Sequence, residues 1–311
     1  MAIETLVYFS LHDPIEPWRD TLAADLPDVV VRRPEELTPE DKVRYALVWK
    51  PPVGFFEAYP DLKLVTILGA GADALAGRTD LPDVPIARLS DPNMGRMMAS
   101  YVLFAVLRYA RNIHLMEIAQ REKRWGYIHP REAGETRVGV LGLGELGGYA
   151  AHELVRQGFD VRGWSRSPKQ IEGVACVSGI EALDPFLAEL DIAVVMLPLT
   201  PDTRGILDAR RLALLPKGAK LINAARGPLI DEEAMTELLA NDHLGGATLD
   251  VFAKEPLSPE SRLWSLPNVL ITPHMASVAI PQSAAAQVAE NIRRVRRGEE
   301  IKSRIDLKRG Y

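Results

Sequence analysis

Arg226, Glu255 and His274 are far apart in the chain, but their types suit one chemistry, addition of a hydride and a proton to a carbonyl beside a carboxylate. A planar guanidinium grips a carboxylate and an adjacent carbonyl in a way an ammonium cannot. Imidazole is the usual proton donor near neutral pH. A carboxylate on its other nitrogen fixes the ring and favours the protonated form. Taken singly, the three read equally well as a helix cap, a loop carboxylate and a satisfied structural histidine. What gives the set meaning is position. Each follows an apolar run: Leu221-Ile-Asn-Ala-Ala, Thr248-Leu-Asp-Val-Phe and Val269-Leu-Ile-Thr-Pro. In open α/β sheets, ligands bind beyond the carboxyl ends of the strands.

A second group of residues points to a dinucleotide. Val138-Gly-Val-Leu-Gly142-Leu-Gly144-Glu-Leu-Gly147-Gly-Tyr-Ala reads as a buried strand, a glycine turn and a helix start, the helix proper expected over Tyr149–Gln157. Gly142 permits the turn, Gly144 lets the backbone approach a pyrophosphate, and Gly147 lets helix and strand pack closely. The helix N-terminus, with Glu145 and Leu146, would aim amides at the phosphates. The next strand is expected over Asp160–Trp164. An NAD site ends this strand with an acid that accepts from the ribose hydroxyls. Asp160 sits at the wrong end, and Ser165 and Arg166 occupy the carboxyl end instead. A guanidinium there pairs with a 2′-phosphate, helped by Ser165, Ser167 and Lys169. The cofactor expected is NADPH/NADP+, with NADH weaker.

These residues need a scaffold, and the chain supplies two. Its 311 residues exceed one comfortable core. From Thr5 to Leu89, strands are expected at Thr5–Phe9, Val29–Arg32, Tyr45–Trp49, Leu64–Ile67 and near Ile86. A long helix follows, with Asp91 as N-cap and Pro92 at N1, running to about Arg124. The strands of the second α/β run are expected at Arg137–Leu141, Asp160–Trp164, Ala175–Val177, Ile192–Leu197, Lys220–Ala224, Ala247–Val251 and Val269–Thr272. They are continuous apolar runs, as suits parallel strands buried on both faces. A last helix is expected over Ile280–Arg297. The fold class is α/β with two Rossmann-like or flavodoxin-like domains. A doubly wound parallel cofactor domain (93–282, including the connecting helix) is inserted into a substrate domain made of 1–92 and 283–311.

Composition narrows the function classes. A net charge of −5 with no basic tract does not suit nucleic-acid binding. The longest mainly apolar run, Met97–Leu107, is too short to span a bilayer, and the first ten residues read as a strand rather than an export signal. Cys176 is the only cysteine, so no internal disulfide forms, a cytoplasmic location is expected, and the thiol reads as buried and inert. No metal is expected.

The motifs resemble those of the D-isomer-specific 2-hydroxyacid dehydrogenases, most closely the glyoxylate/hydroxypyruvate reductase A group, over nearly the whole chain. They are Leu141-Gly-Leu-Gly-Glu-Leu-Gly-Gly, Trp164-Ser-Arg-Ser, Met196-Leu-Pro-Leu-Thr-Pro-Asp-Thr, Asn223-Ala-Ala-Arg-Gly, Leu249-Asp-Val-Phe-Ala-Lys-Glu-Pro-Leu, Ile271-Thr-Pro-His and the closing Lys308-Arg-Gly-Tyr311. The resemblance implies Arg226 as substrate anchor, His274 as acid–base group and Glu255 as its partner. It implies that Asp250 tunes that pair or holds the nicotinamide amide. It also implies Leu197, Pro198, Thr203, Ala224, Arg226 and His274 as cofactor contacts, and Trp49, Lys50, the amides of Ala70 and Gly71, Arg226 and His274 as substrate contacts. Two glycines around Ala70 suit a backbone anion nest, and a plain helix N-terminus would look the same. Trp125 reads either as a wall of a neighbouring subunit's pocket or as a surface aromatic. Met94 and Met98 fit a core stripe as well as a pocket.

The activity implied is NADPH-dependent reduction of small 2-keto acids, glyoxylate and hydroxypyruvate, to 2-hydroxy acids, by a homodimer. Bulkier 2-keto acids such as phenylpyruvate are the alternative substrates. Formate dehydrogenases carry a Gln–His pair, which Glu255 opposes. A dinucleotide-sensing binding protein is a further alternative that keeps the same scaffold.

Overall fold

The structure is a computed structural model that describes residues 3–75 and 77–306. The closing motif at Lys308–Tyr311 lies outside the described residues. Backbone contacts divide the chain into two units, one formed by residues up to Met94 together with those from Val278 onward, the other by Gly95–Ser277.

The first unit is a five-stranded parallel sheet of β1 (Glu4–Phe9), β2 (Val29–Arg32), β3 (Val43–Val48), β4 (Leu64–Ile67) and β5 (Ile86–Arg88), in the order β2-β1-β3-β4-β5. All four residues of β4 are buried, which explains why this segment shows no alternation of apolar and charged residues. Helix α1 (Glu16–Asp25) buries Trp18 and Leu22 and packs on the last helix, α8 (Pro281–Arg297). Arg296 ties α8 to the sheet: it pairs with Glu4 at 2.7 Å and Asp28 at 3.0 Å, and its guanidinium lies over the Tyr45 ring. Beyond α8 the chain pairs with β5, through Arg88 N–H to Ser303 and Ile305 N–H to Ile86.

The second unit is a seven-stranded, wholly parallel sheet. Its strands are β6 (Arg137–Leu141), β7 (Asp160–Ser165), β8 (Ala175–Ser178), β9 (Ile192–Val195), β10 (Lys220–Asn223), β11 (Gly246–Leu249) and β12 (Val269–Ile271), in the order β12-β11-β10-β9-β6-β7-β8. The chain winds outward from β6 in one direction and from β9 in the other, so the topological switch lies between these two strands. Apolar side chains cover both faces, one around Leu141, Leu187, Leu221 and Leu249, the other around Val102, Val140, Leu154 and Ile222.

Three local expectations are corrected. The long helix is two, α2 (Pro92–Ala110) and α3 (Ile113–Arg121), because Asn112 takes a left-handed φ of 55° that no helix interior tolerates. Asn is the residue that adopts this conformation at least cost, and the apolar pattern continues past it, which hid the break. The helix after the glycine turn, α4, spans Glu145–Arg156 and so starts four residues before Tyr149. Cys176 lies on β8 at the sheet edge and is half-buried rather than buried. Asp91 does cap α2: its carboxylate accepts the Asn93 amide at 3.0 Å.

Candidate active site

The seven-stranded sheet brings the predicted residues of the second unit to the same edge. Gly142 follows β6, Ser165 ends β7, Leu197 follows β9, Ala224 and Arg226 follow β10, Asp250 and Glu255 follow β11, and His274 follows β12. All are at carboxyl ends, on both sides of the topological switch.

The glycine turn separates packing from access. Gly142 has φ 108°, and a Cβ there would lie 2.6 Å from the Met196 carbonyl oxygen. A Cβ on Gly147 would lie 1.9 Å from the Gly142 oxygen. At Gly144, the N-cap of α4, nothing lies within 4 Å of where a Cβ would stand. Two glycines therefore close the strand–helix contact, and the third leaves open space in front of the α4 N-terminus, which suits a pyrophosphate. Beside it, Ser165 is buried and its hydroxyl donates to the Ser167 carbonyl at 2.8 Å, shaping the turn that presents Arg166 and Lys169 at the surface. Asp160 pairs in register with Arg137 at the opposite end of the strands, where it cannot meet a ribose. After β9, Leu197 is buried and Pro198 exposed. The Thr203 hydroxyl donates to the Pro198 carbonyl at 2.6 Å and accepts the Thr200 amide at 2.8 Å, which folds this loop back on itself. The donor set fits a phosphorylated dinucleotide.

The turn after β10 is clamped by Asn223, a buried side chain that accepts the Ala225 amide at 3.1 Å and donates to the Arg226 carbonyl at 3.0 Å. The half-buried Arg226 side chain donates to the Ala225 carbonyl at 2.6 Å. The next residue, Gly227, lies flat on the neighbouring loop, where a Cβ would stand 1.9 Å from the Phe252 carbonyl carbon. That close approach seats the arginine loop against the loop that carries Glu255.

Glu255 and His274 meet directly, Nδ1 to Oε2 at 2.9 Å, with both side chains about one quarter exposed. The other glutamate oxygen accepts the Phe252 amide at 3.2 Å. Asp250 is 1% exposed. Its Oδ1 accepts the Thr272 hydroxyl at 2.6 Å and the Met275 amide at 2.9 Å, and its Oδ2 accepts the Ala276 amide at 2.9 Å. The carboxylate thus holds the turn around His274, which has φ 56°. Sequence reasoning missed Thr272, Asn223 and Tyr101, whose phenol is 2.6 Å from the Thr272 hydroxyl. Asn223 and Thr272 fall within motifs read for the neighbouring Arg226 and His274, and nothing local marks Tyr101.

In the first unit, Trp49 and Lys50 follow β3, and Ala70 and Gly71 follow β4. Lys50 has φ 45°, and its ammonium lies 5.6 Å from the Trp49 ring centre. Gly69 makes room for that ring, since a Cβ would lie 2.7 Å from it. Trp125 is 99% exposed, and Met94 and Met98 are buried.

Comparison with known proteins places this geometry. Residues 103–276 match the family model described as D-isomer specific 2-hydroxyacid dehydrogenase, NAD binding domain. A glyoxylate/hydroxypyruvate reductase A from Yersinia enterocolitica is 38% identical over 98% of this chain and 99% of its own length. A D-isomer specific 2-hydroxyacid dehydrogenase from Xanthobacter autotrophicus Py2, solved in complex with NADPH and MES, superimposes with a TM-score of 0.95 at 58% identity over the whole of both chains. An NADPH-dependent glyoxylate/hydroxypyruvate reductase from Sinorhizobium meliloti, solved with NADP and sulfate, gives a TM-score of 0.92 at 36% identity over 99% of this chain and all of its own. The chain belongs to the D-isomer specific 2-hydroxyacid dehydrogenase family.

Proposed function

We propose that the protein uses NADPH to reduce small 2-keto acids, glyoxylate and hydroxypyruvate, to the corresponding 2-hydroxy acids. The observation that carries the reading is the His274–Glu255 pair beside Arg226 at the carboxyl edge of the cofactor-binding sheet. The names of the Yersinia and Sinorhizobium relatives support the substrate class.

Gly142, Gly144, Glu145, Leu146 and Gly147 would hold the pyrophosphate. Ser165, Arg166, Ser167 and Lys169 would hold the 2′-phosphate, with Leu197, Pro198, Thr203, Ala224 and Asp250 along the rest of the nucleotide. When bound, NADPH supplies the hydride. Arg226 orients the substrate carboxylate and carbonyl by charge-assisted hydrogen bonds. Because Glu255 occupies Nδ1, the Nε2 of His274 is the atom that gives its proton to the developing alkoxide. Glu255 then offsets the charge of the ring each time it is reprotonated. Trp49, Lys50 and the amides of Ala70 and Gly71 are proposed as further substrate contacts from the first unit.

We further propose a homodimer and a cytosolic location. The second unit exposes an apolar series on α2, α3 and the segment beyond: Phe104, Leu107, Ile113, Met116, Trp125 and Tyr127. A second copy of the chain suits a surface of this kind, and a mass by light scattering of one chain rather than two would refute the dimer. No helix among the described residues is long and apolar enough to cross a membrane.

The decisive experiment follows loss of NADPH absorbance with glyoxylate, hydroxypyruvate, pyruvate and phenylpyruvate in parallel, repeated with NADH. Fast turnover of the first two with NADPH is expected. Turnover of phenylpyruvate alone would keep the mechanism and change the substrate, and no turnover with any would overturn the reading.

A further inference from the structure

We infer that Tyr101 and Thr272 are positioning residues for His274. A hydroxyl chain running from α2 through Thr272 to the Asp250 carboxylate holds the turn that carries the imidazole. The inference rests on the acid–base role of His274 proposed above.

His274 has φ 56°, a left-handed conformation that costs a non-glycine residue about 1–3 kcal/mol and persists only where its surroundings over-determine it. Here they do. The His274 amide donates to the Asp250 carbonyl at 2.8 Å, and the next two amides are taken by the Asp250 carboxylate. That carboxylate is fixed in turn by the Thr272 hydroxyl at 2.6 Å. Thr272 has one hydroxyl proton and donates it to Asp250, so the Tyr101 phenol must be the donor in the 2.6 Å contact between them. Burial pushes the Tyr101 phenol far above its usual range, which keeps it protonated throughout the pH range of catalysis. The chain is therefore polarised in one direction, from the helix towards the turn, and each link strengthens the next.

A built-in control exists. Tyr109, two turns further along α2, makes a similar contact with Thr248 of β11 at 3.0 Å and accepts from Arg108 at 3.0 Å, and among the described residues neither hydroxyl is hydrogen-bonded to the Asp250 carboxylate. Tyr101→Phe and Tyr109→Phe each remove one phenol hydroxyl, half-buried in the first and buried in the second. The test compares kcat for glyoxylate reduction, NADPH affinity, and hydrogen exchange of the Met275 and Ala276 amides in both variants, with Thr272→Ser and Thr272→Val alongside. Tyr101→Phe and Thr272→Val should lower kcat about tenfold, more than they lower NADPH affinity, and should speed exchange at both amides. Tyr109→Phe and Thr272→Ser should retain both properties. Wild-type kcat and exchange in Tyr101→Phe, or equal losses in Tyr109→Phe, would overturn the inference. The exchange readout needs no substrate. A wild-type protein that reduces no 2-keto acid, yet shows faster exchange only in Tyr101→Phe, would sink the reductase reading and leave the positioning role standing.

Discussion

Oε2 of Glu255 takes the Nδ1 of His274 at 2.9 Å while Oε1 of the same carboxylate accepts the Phe252 amide at 3.2 Å. The glutamate is thus anchored in its own loop before it meets the ring, so it orients the imidazole rather than following it. Nδ1 is committed, and proton exchange with a substrate falls to Nε2.

His274→Ala should therefore lose at least ~10²-fold in kcat for reduction while still binding NADPH, because a positioned general acid contributes that much to the step. Glu255→Gln keeps a hydrogen-bond acceptor but removes the charge, so a smaller loss is expected. Wild-type turnover in His274→Ala would remove His274 as the donor.

Cofactor choice turns on the end of β7. With Ser165 shaping the turn and Asp160 at the far end of the strand, Arg166 is the cation placed for a 2′-phosphate. Arg166→Ala should weaken NADPH binding about 10- to 100-fold, the scale of a hydrogen bond to a charged group, and leave NADH binding nearly unchanged. Fluorescence titration with both nucleotides reads this directly. An unaltered NADPH/NADH ratio would assign the phosphate to other residues.

The glycine turn offers a sharper dissection. A Cβ on Gly147 would stand 1.9 Å from the Gly142 oxygen, so Gly147→Ala should destabilise the protein by about 1–3 kcal/mol or more whether or not nucleotide is present. Gly144 has open space and an ordinary extended backbone, so Gly144→Val should cost less than about 1 kcal/mol of stability. Its side chain would fill the space proposed for the pyrophosphate, and NADPH affinity should collapse. Thermal melts with and without NADPH separate the two effects, and a Gly144→Val protein that still gains full stability from NADPH would place the pyrophosphate elsewhere.

Much of this was legible in the residues themselves. Parallel strands buried on both faces must be apolar throughout, so β6, β9 and β10 stand out as runs within a residue or two of their observed ends. The glycine turn and the residues just beyond strand ends are readable because topology forces them to one edge. The break at Asn112 was not, because the apolar periodicity runs through it and only the backbone angle betrays it. Nor were Tyr101 and Thr272, whose meaning depends on a contact that spans 171 residues of sequence, which no local pattern encodes.

One stability prediction concerns a histidine outside the proposed chemistry. His114 on α3 is 2% exposed and edge-on to the Tyr109 ring, and burial pulls its pKa down to about 4, opposed by its hydrogen bond to the Arg108 carbonyl and by Glu117 and aided by the Lys220 and Arg108 cations. The unfolded chain binds a proton at this ring near pH 6.5, and the folded chain does so only near pH 4. Between those values the unfolded state holds more protons, so stability is complete above about pH 6.5 and is lost as pH falls towards 4. By linkage this one ring should account for about 2–3 kcal/mol of the stability lost between pH 7.5 and 4.5. His114→Phe keeps a buried ring of similar shape and removes the titration. Urea unfolding at the two pH values should show a smaller drop in the variant by that amount, and equal drops in the two proteins would mean that the His114 ring is solvated and protonates without unfolding.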